Sequence, residues 1–101
     1  MVKTILASYY DDKIGYKGDD LYDGHYWYGE LSKCLGGLPY RHKLKITYKG
    51  SSAIGMKGDE GKAAPNRPKL DIHHTFAKQI KFPSYSIAKV TIKNALKSNL
   101  A

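Results

Sequence analysis

The sequence predicts a small, mainly β domain: a compact barrel of short strands with one short helix. Three observations carry this. Residues 43–48 (Lys-Leu-Lys-Ile-Thr-Tyr) alternate strictly, with Leu44, Ile46 and Tyr48 on one face and Lys43, Lys45 and Thr47 on the other. Glycine, proline and aspartate clusters interrupt the apolar runs at short intervals. After residue 71 the spacing changes once, with Ile72, Phe76 and Ile80 four apart and Ala77 beside them, the mark of one helical face.

In chain order, Thr4 to Tyr10 is apolar, β-branched and aromatic and reads as a first strand. Residues 11–24 carry Asp11-Asp12, Gly15, Gly18, Asp19-Asp20 and Asp23-Gly24, all turn chemistry, and read as a long loop. His25 to Leu31 is aromatic and suits a short strand. Gly36-Gly37 and Pro39 break the chain before the alternating strand, read as His42 to Tyr48. Lys49-Gly50-Ser51 is a hairpin turn, with Ser52 to Lys57 returning. Residues 58–68 hold two glycines and two prolines and read as a loop. A new element begins at Leu70-Asp71-Ile72, with Asp71 placed to cap the helix. Ser86 to Lys93 alternates again and closes the fold. The domain spans 1–94, and 95–101 is a tail.

A chain of 101 residues can bury one modest core. No segment approaches membrane-spanning length, and the apolar run at the N-terminus is too short for a signal peptide. Cys34 is the only cysteine, which excludes an internal disulfide. A secreted domain of this size commonly has one, so an intracellular, phage-encoded or excised domain is expected. The net charge of +8 is unevenly placed. Residues 1–30 hold three lysines and six acids, a net −3, and residues 31–101 hold fourteen Lys and Arg and three acids, a net +11. Such a balance favours a polyanionic partner, or serves only solubility. Nine tyrosines against two Phe and one Trp give flat, hydroxyl-bearing faces suited to strands and to stacking on sugars or bases.

Several segments together resemble the double-psi β-barrel of the rare lipoprotein A and expansin group. Ala7-Ser8-Tyr9-Tyr10 is similar to that group's opening strand. Gly37-Leu38-Pro39-Tyr40, followed by the strand to Tyr48 and by Lys49-Gly50-Ser51, resembles its Leu-Pro-Phe-Gly stretch, strand and turn. Lys57-Gly58-Asp59-Glu60-Gly61 resembles its Asn-Asp-Arg-Gly loop, and Leu70-Asp71-Ile72-His73 its Ile-Asp-Leu-Ser segment. Ala88 to Ile92 fits its closing strand, so the resemblance covers about residues 4–93. It implies a six-stranded barrel with a glycan groove.

By that resemblance Asp71 and Asp59 are the groove carboxylates. Asp71 lies between apolar Leu70 and Ile72, so partial burial is expected, a setting in which a carboxyl can act as an acid. Asp59 stands between glycines that let a backbone approach a ligand, and equally suits an Asx turn. Glu30, after Gly29, resembles a glutamate used by lytic transglycosylases. Those enzymes also carry a histidine just before the Leu-Pro stretch, where this chain has Cys34-Leu35-Gly36-Gly37. His25 or His42 could replace it only if the fold brought one into the groove. Lytic cleavage by Asp71 with Asp59 remains chemically open without it, because one acid/base suffices when the sugar's own hydroxyl closes the ring.

Tyr9, Tyr10, Tyr26, Trp27, Tyr28 and Tyr40 could line the groove or pack the core. Tyr9, Tyr10, Trp27, Tyr40 and His73 are the chosen sugar-contacting candidates, with Trp27 foremost. His73 and His74 are adjacent and lack a clear third ligand, which is poor zinc spacing, and nothing asks for a cofactor. Nothing around Cys34 marks a stabilised thiolate. The expected partner is peptidoglycan or another cell-wall polysaccharide, with other phage tail proteins as further partners, in a virion or the cell envelope. A non-catalytic barrel of a phage tail is the alternative. A nucleic-acid binder ranks last, because lysines interleave with Tyr48 but no recognised motif is present.

Overall fold

A computed structural model describes residues 2–30, 38–61, 68 and 70–95. Six strands, β1 (Val2–Tyr10), β2 (Tyr26–Glu30), β3 (Lys43–Tyr48), β4 (Ser51–Gly61), β5 (Leu70–His73) and β6 (Ala88–Asn94), close into one barrel. One helix, α1 (His74–Gln79), follows β5. The order around the barrel is β1-β5-β2-β4-β3-β6. The β1/β5 and β2/β4 pairs are parallel and the other four antiparallel. Exchanging β1 with β4, β2 with β5 and β3 with β6 preserves every neighbour and every strand sense. The barrel therefore has an internal two-fold topology although the sequence shows no repeat. The expected six-stranded barrel with one short helix is the fold observed.

Alternation along the strands sends one face inward. Ala7, Trp27, Leu44, Ile46, Leu70, Ile72, Val90 and Ile92 fill the interior, and Phe76, Ala77, Ile80 and Phe82 plug it from the helix side. The turn joining β3 to β4 is a two-residue hairpin loop, with Tyr48 paired to Ser51 and both Lys49 (φ 45°) and Gly50 (φ 85°) left-handed.

Three expectations need correction. Asp71 does not cap the helix. Leu70–His73 is held extended by parallel pairing with β1 and antiparallel pairing with β2, so Asp71 and Ile72 are strand residues. The helix starts at His74, and His73 is its N-cap. Second, residues 58–61 are not loop, because parallel pairing with β2 carries β4 on to Gly61. Third, Trp27 is fully buried and donates from Nε1 to the Gly55 carbonyl at 3.0 Å, so it packs the core and cannot stack on a ligand. Cys34, residues 62–67 and the tail beyond residue 95 lie outside the described residues.

Candidate functional site

The pairing registers set four side chains in one row across four strands. Ser8 on β1 lies opposite Asp71 on β5, Asp71 opposite Tyr28 on β2, and Tyr28 opposite Asp59 on β4. Their neighbours Ala7, Leu70, Ile72 and Trp27 point into the core, so alternation turns Ser8, Asp71 and Tyr28 to the outer face. A register shift between Trp27 and Tyr28 brings Asp59 rather than Gly58 beside Tyr28. The Ser8 hydroxyl donates to Asp71 Oδ1 and orients that carboxylate. Asp71 is half-buried, as expected from its neighbours.

Tyr10 feels the charge of both aspartates. Its ring meets those of Tyr28 and His73 edge-on, with centroids 6.3 and 5.1 Å away. Burial pushes its phenol far above the usual tyrosine range, and the charges of Asp59 and Asp71 push it further, so the hydroxyl stays a neutral donor. Among the described residues, Tyr10 Oη is the buried side-chain polar atom without a hydrogen-bond partner. Buried polar atoms are seldom left so, and a water or a ligand group is the ordinary partner of such an atom.

Asp59 is also half-buried, and its Oδ1 accepts the Glu60 N–H at 3.0 Å. Burial raises its carboxyl above the ordinary value of 3.8, outweighing the opposing pull of the Glu60 amide, and Asp12 raises it further. The sign for stability follows. Folding is favoured by this group below its unfolded value and loses that contribution as pH rises through the higher folded value. Asp59→Asn is therefore expected to raise Tm at pH 7 and to leave it unchanged near pH 3, measured by scanning calorimetry.

The 11–24 loop walls the site. It crosses β4 where Gly15 and Gly58 meet, and a Cβ on Gly15 would stand 2.1 Å from the Gly58 carbonyl oxygen. Gly58 thus makes room for the loop, Tyr26 and Leu21, where the sequence suggested room for a ligand. Leu21 is fully buried beneath the loop. Tyr40 donates to Asp19 Oδ2, Arg41 pairs with Asp19 Oδ1 at 2.8 Å, and Tyr16 meets Tyr40 edge-on at 5.9 Å. Tyr16 borders Asp59 and Glu60, so Tyr40 belongs to the Asp59 side of the site.

His73 pins the opposite side and is fully buried. Its Nε2 donates to the Asp12 carbonyl at 2.7 Å, which leaves Nδ1 as the acceptor for Thr75 N–H at 3.4 Å. This is a loop anchor and helix cap, which corrects the sugar-contacting expectation for His73. Burial lowers its pKa below the ordinary 6.5. A lowered folded value contributes stability above about pH 6.5 that is lost as pH falls below it. Tm should decline on acidification from pH 7, and His73→Asn should flatten that decline in thermal melts.

Tyr9 lies at the same end, packed partly against the core, with its hydroxyl on His74 Nδ1. Its ring meets Tyr85 at 4.6 Å, beyond the row of aspartates. Glu30 ends β2 opposite Gly61, and its side chain lies outside the described residues. His25 stacks on Phe76 at 5.4 Å and His42 bonds Asn94, so neither stands in for a groove histidine. Sequence reasoning named Tyr28 only among the tyrosines that could line the groove or pack the core, and did not select Ser8, Asp12 or the ion pair of buried Lys57 with Glu60 (2.8 Å). Lys57 is 1% exposed and its Nζ also donates to the Leu38 carbonyl at 2.8 Å. Strand alternation signals that Trp27 and Tyr28 face opposite ways, but only the register shows which faces out.

Two solved structures share this architecture. The Streptomyces papain inhibitor superposes with a TM-score of 0.67 at 15% identity, over 92% of this chain and 93% of that one. An apo expansin from Clavibacter michiganensis superposes with a TM-score of 0.70 at 14% identity, over 96% of this chain and 52% of that one. This chain thus spans about half of the expansin's length. No protein-family model matches the chain, and no curated protein matches it in sequence. At these identities the likeness establishes the fold, a double-psi β-barrel of the kind the residue motifs implied.

Proposed function

We propose that this barrel is a cell-wall glycan-binding domain. Its ligand lies on the outer face along Asp59, Tyr28 and Asp71, with Ser8 buried behind Asp71 and holding its carboxylate. The observation that carries this is the pairing of two half-buried carboxylates on either side of Tyr28, both acting on the Tyr10 hydroxyl. Carboxylates accept sugar hydroxyls, a tyrosine offers an apolar face to a pyranose ring, and Tyr10 Oη is an unused donor. The likeness to an expansin supports a wall polysaccharide as the ligand class.

Peptidoglycan is the glycan we propose, and a virion or the cell envelope the setting. Cleavage, where it occurs, is lytic transglycosylation. Asp59 and Asp71 sit on strands separated by β2, so their backbones are about 10 Å apart. A carboxylate nucleophile paired with an acid would need its carboxyl groups about 5 Å apart. In the lytic reading one carboxyl suffices, with the sugar's own hydroxyl attacking. Incubation with purified peptidoglycan tests this: retention on the insoluble wall is expected, and anhydro-sugar products mark cleavage. Retention without products leaves a binding domain, and the absence of both retention and products rules out the wall reading.

A second reading is protease inhibition, favoured by the near-complete mutual coverage with the papain inhibitor. Inhibition of papain by the purified chain, with no retention on walls, would establish it instead.

A further inference from the structure

The barrel face away from the aspartates is built from β4, β3, β6 and β1. Its outward residues form two rows. In one, Ile54, Lys45 and Lys93 are successive cross-strand partners. In the next, Ser52, Thr47, Thr91 and Thr4 are partners in the same order. Lys43 flanks the first row, and Lys89, opposite Leu6, lies beyond the second. Residues 2–8, 43–56 and 88–94 contain no Asp or Glu, and among the described residues none of these four lysines pairs with a carboxylate.

This face is kept at a cost. Lys45 and Lys93 stand directly opposite each other, and like charges so placed destabilise a sheet. Core packing needs neither, because both point outward. A hydroxyl stripe bordered by lysines, with rows about 6.7 Å apart along each strand, matches a flexible chain carrying one anion per repeat. Hydroxyl and lysine N–H groups are the usual donors to phosphodiester oxygens.

We propose that this face binds a phosphodiester polymer, a poly(polyol phosphate) of the cell wall. The phosphate chemistry stands on the face itself, and assigning the polymer to the wall rests on the glycan reading above. Nucleic acid fits less well. Tyr48, the aromatic residue that β3 and β6 carry, turns inward against Phe82 at 5.3 Å, which leaves these two strands no platform for stacking bases.

The test is co-sedimentation of the full chain with Gram-positive walls before and after hydrofluoric acid removes their teichoic acid, together with binding to purified poly(glycerol phosphate). The double variant Lys45→Gln/Lys93→Gln is expected to bind intact walls and the polymer about tenfold more weakly at low salt, in keeping with loss of two phosphate contacts. Its retention on stripped walls should equal wild type, and its Tm should be equal or higher, which separates lost binding from lost fold. Wild-type affinity of the variant for the polymer would overturn the proposal. So would tighter binding of wild type to a single-stranded oligonucleotide of matched charge than to the polymer. Failure of the glycan reading looks different: wild type would then bind intact walls and lose stripped ones.

Discussion

Asp71→Asn is expected to lower retention on wall glycan at least tenfold and to abolish any anhydro-sugar release, while the domain stays folded. The reasoning starts from the contact with Ser8. Asparagine keeps an oxygen where Asp71 Oδ1 accepts the Ser8 hydroxyl, so the β1/β5 contact survives. Asp71 is a strand residue and not the helix cap, so its replacement leaves the Thr75 amide of α1 bonded to His73. What disappears is the negative charge beside Tyr28. Hydrogen bonds to charged groups contribute about 1.5–3 kcal/mol, and a factor of ten is about 1.4 kcal/mol. Sedimentation with peptidoglycan and a thermal melt of the same preparation check both halves. Unfolding of Asp71→Asn would mean that the carboxylate serves the fold.

Trp27→Ala should do the reverse and strongly destabilise the fold without touching the binding face. Trp27 is fully buried at the centre of the core, with Nε1 bonded to the Gly55 carbonyl. Truncating a buried aromatic of this kind costs about 3–5 kcal/mol. A domain of this length has about 5–15 kcal/mol in total, so Tm should fall by roughly 15 °C or more. Trp27→Phe keeps most of the volume and loses the Gly55 bond, so it should lower Tm modestly and leave wall retention intact. Were Trp27 a stacking residue, the phenylalanine variant would melt normally and bind poorly. Chemical denaturation followed by wall sedimentation distinguishes the two.

The barrel was legible where one face of a strand is buried and the other wet. Lys43–Tyr48 shows this, because Leu44 and Ile46 lie in the core while lysines face out. β5 was hidden by its length. Leu70–His73 is only four residues, and Ile72 falls four before Phe76, so a strand residue and a helix residue share one apparent helical face. The end of β4 was hidden by composition. Gly58-Asp59-Glu60-Gly61 reads as turn chemistry, and only the distant pairing with β2 keeps it extended. Asp59 and Asp71 could be chosen from local motifs, since each sits in a short distinctive segment. Their partners could not be chosen that way. Ser8 lies 63 residues from Asp71, and Tyr28 meets both aspartates through two different strand pairs. Trp27 and His73 misled for a related reason. An aromatic or imidazole suits a ligand and a core equally well, and long-range register decides between them.

The most direct measurement is a map of backbone amide shifts in the labelled full chain on titration with soluble peptidoglycan fragments. The glycan reading predicts saturable shifts at Ser8, Tyr10, Tyr28, Asp59 and Asp71, with β3 and β6 unmoved. Shifts confined to β3 and β6, or absent while the same fragments bind by calorimetry, would contradict it.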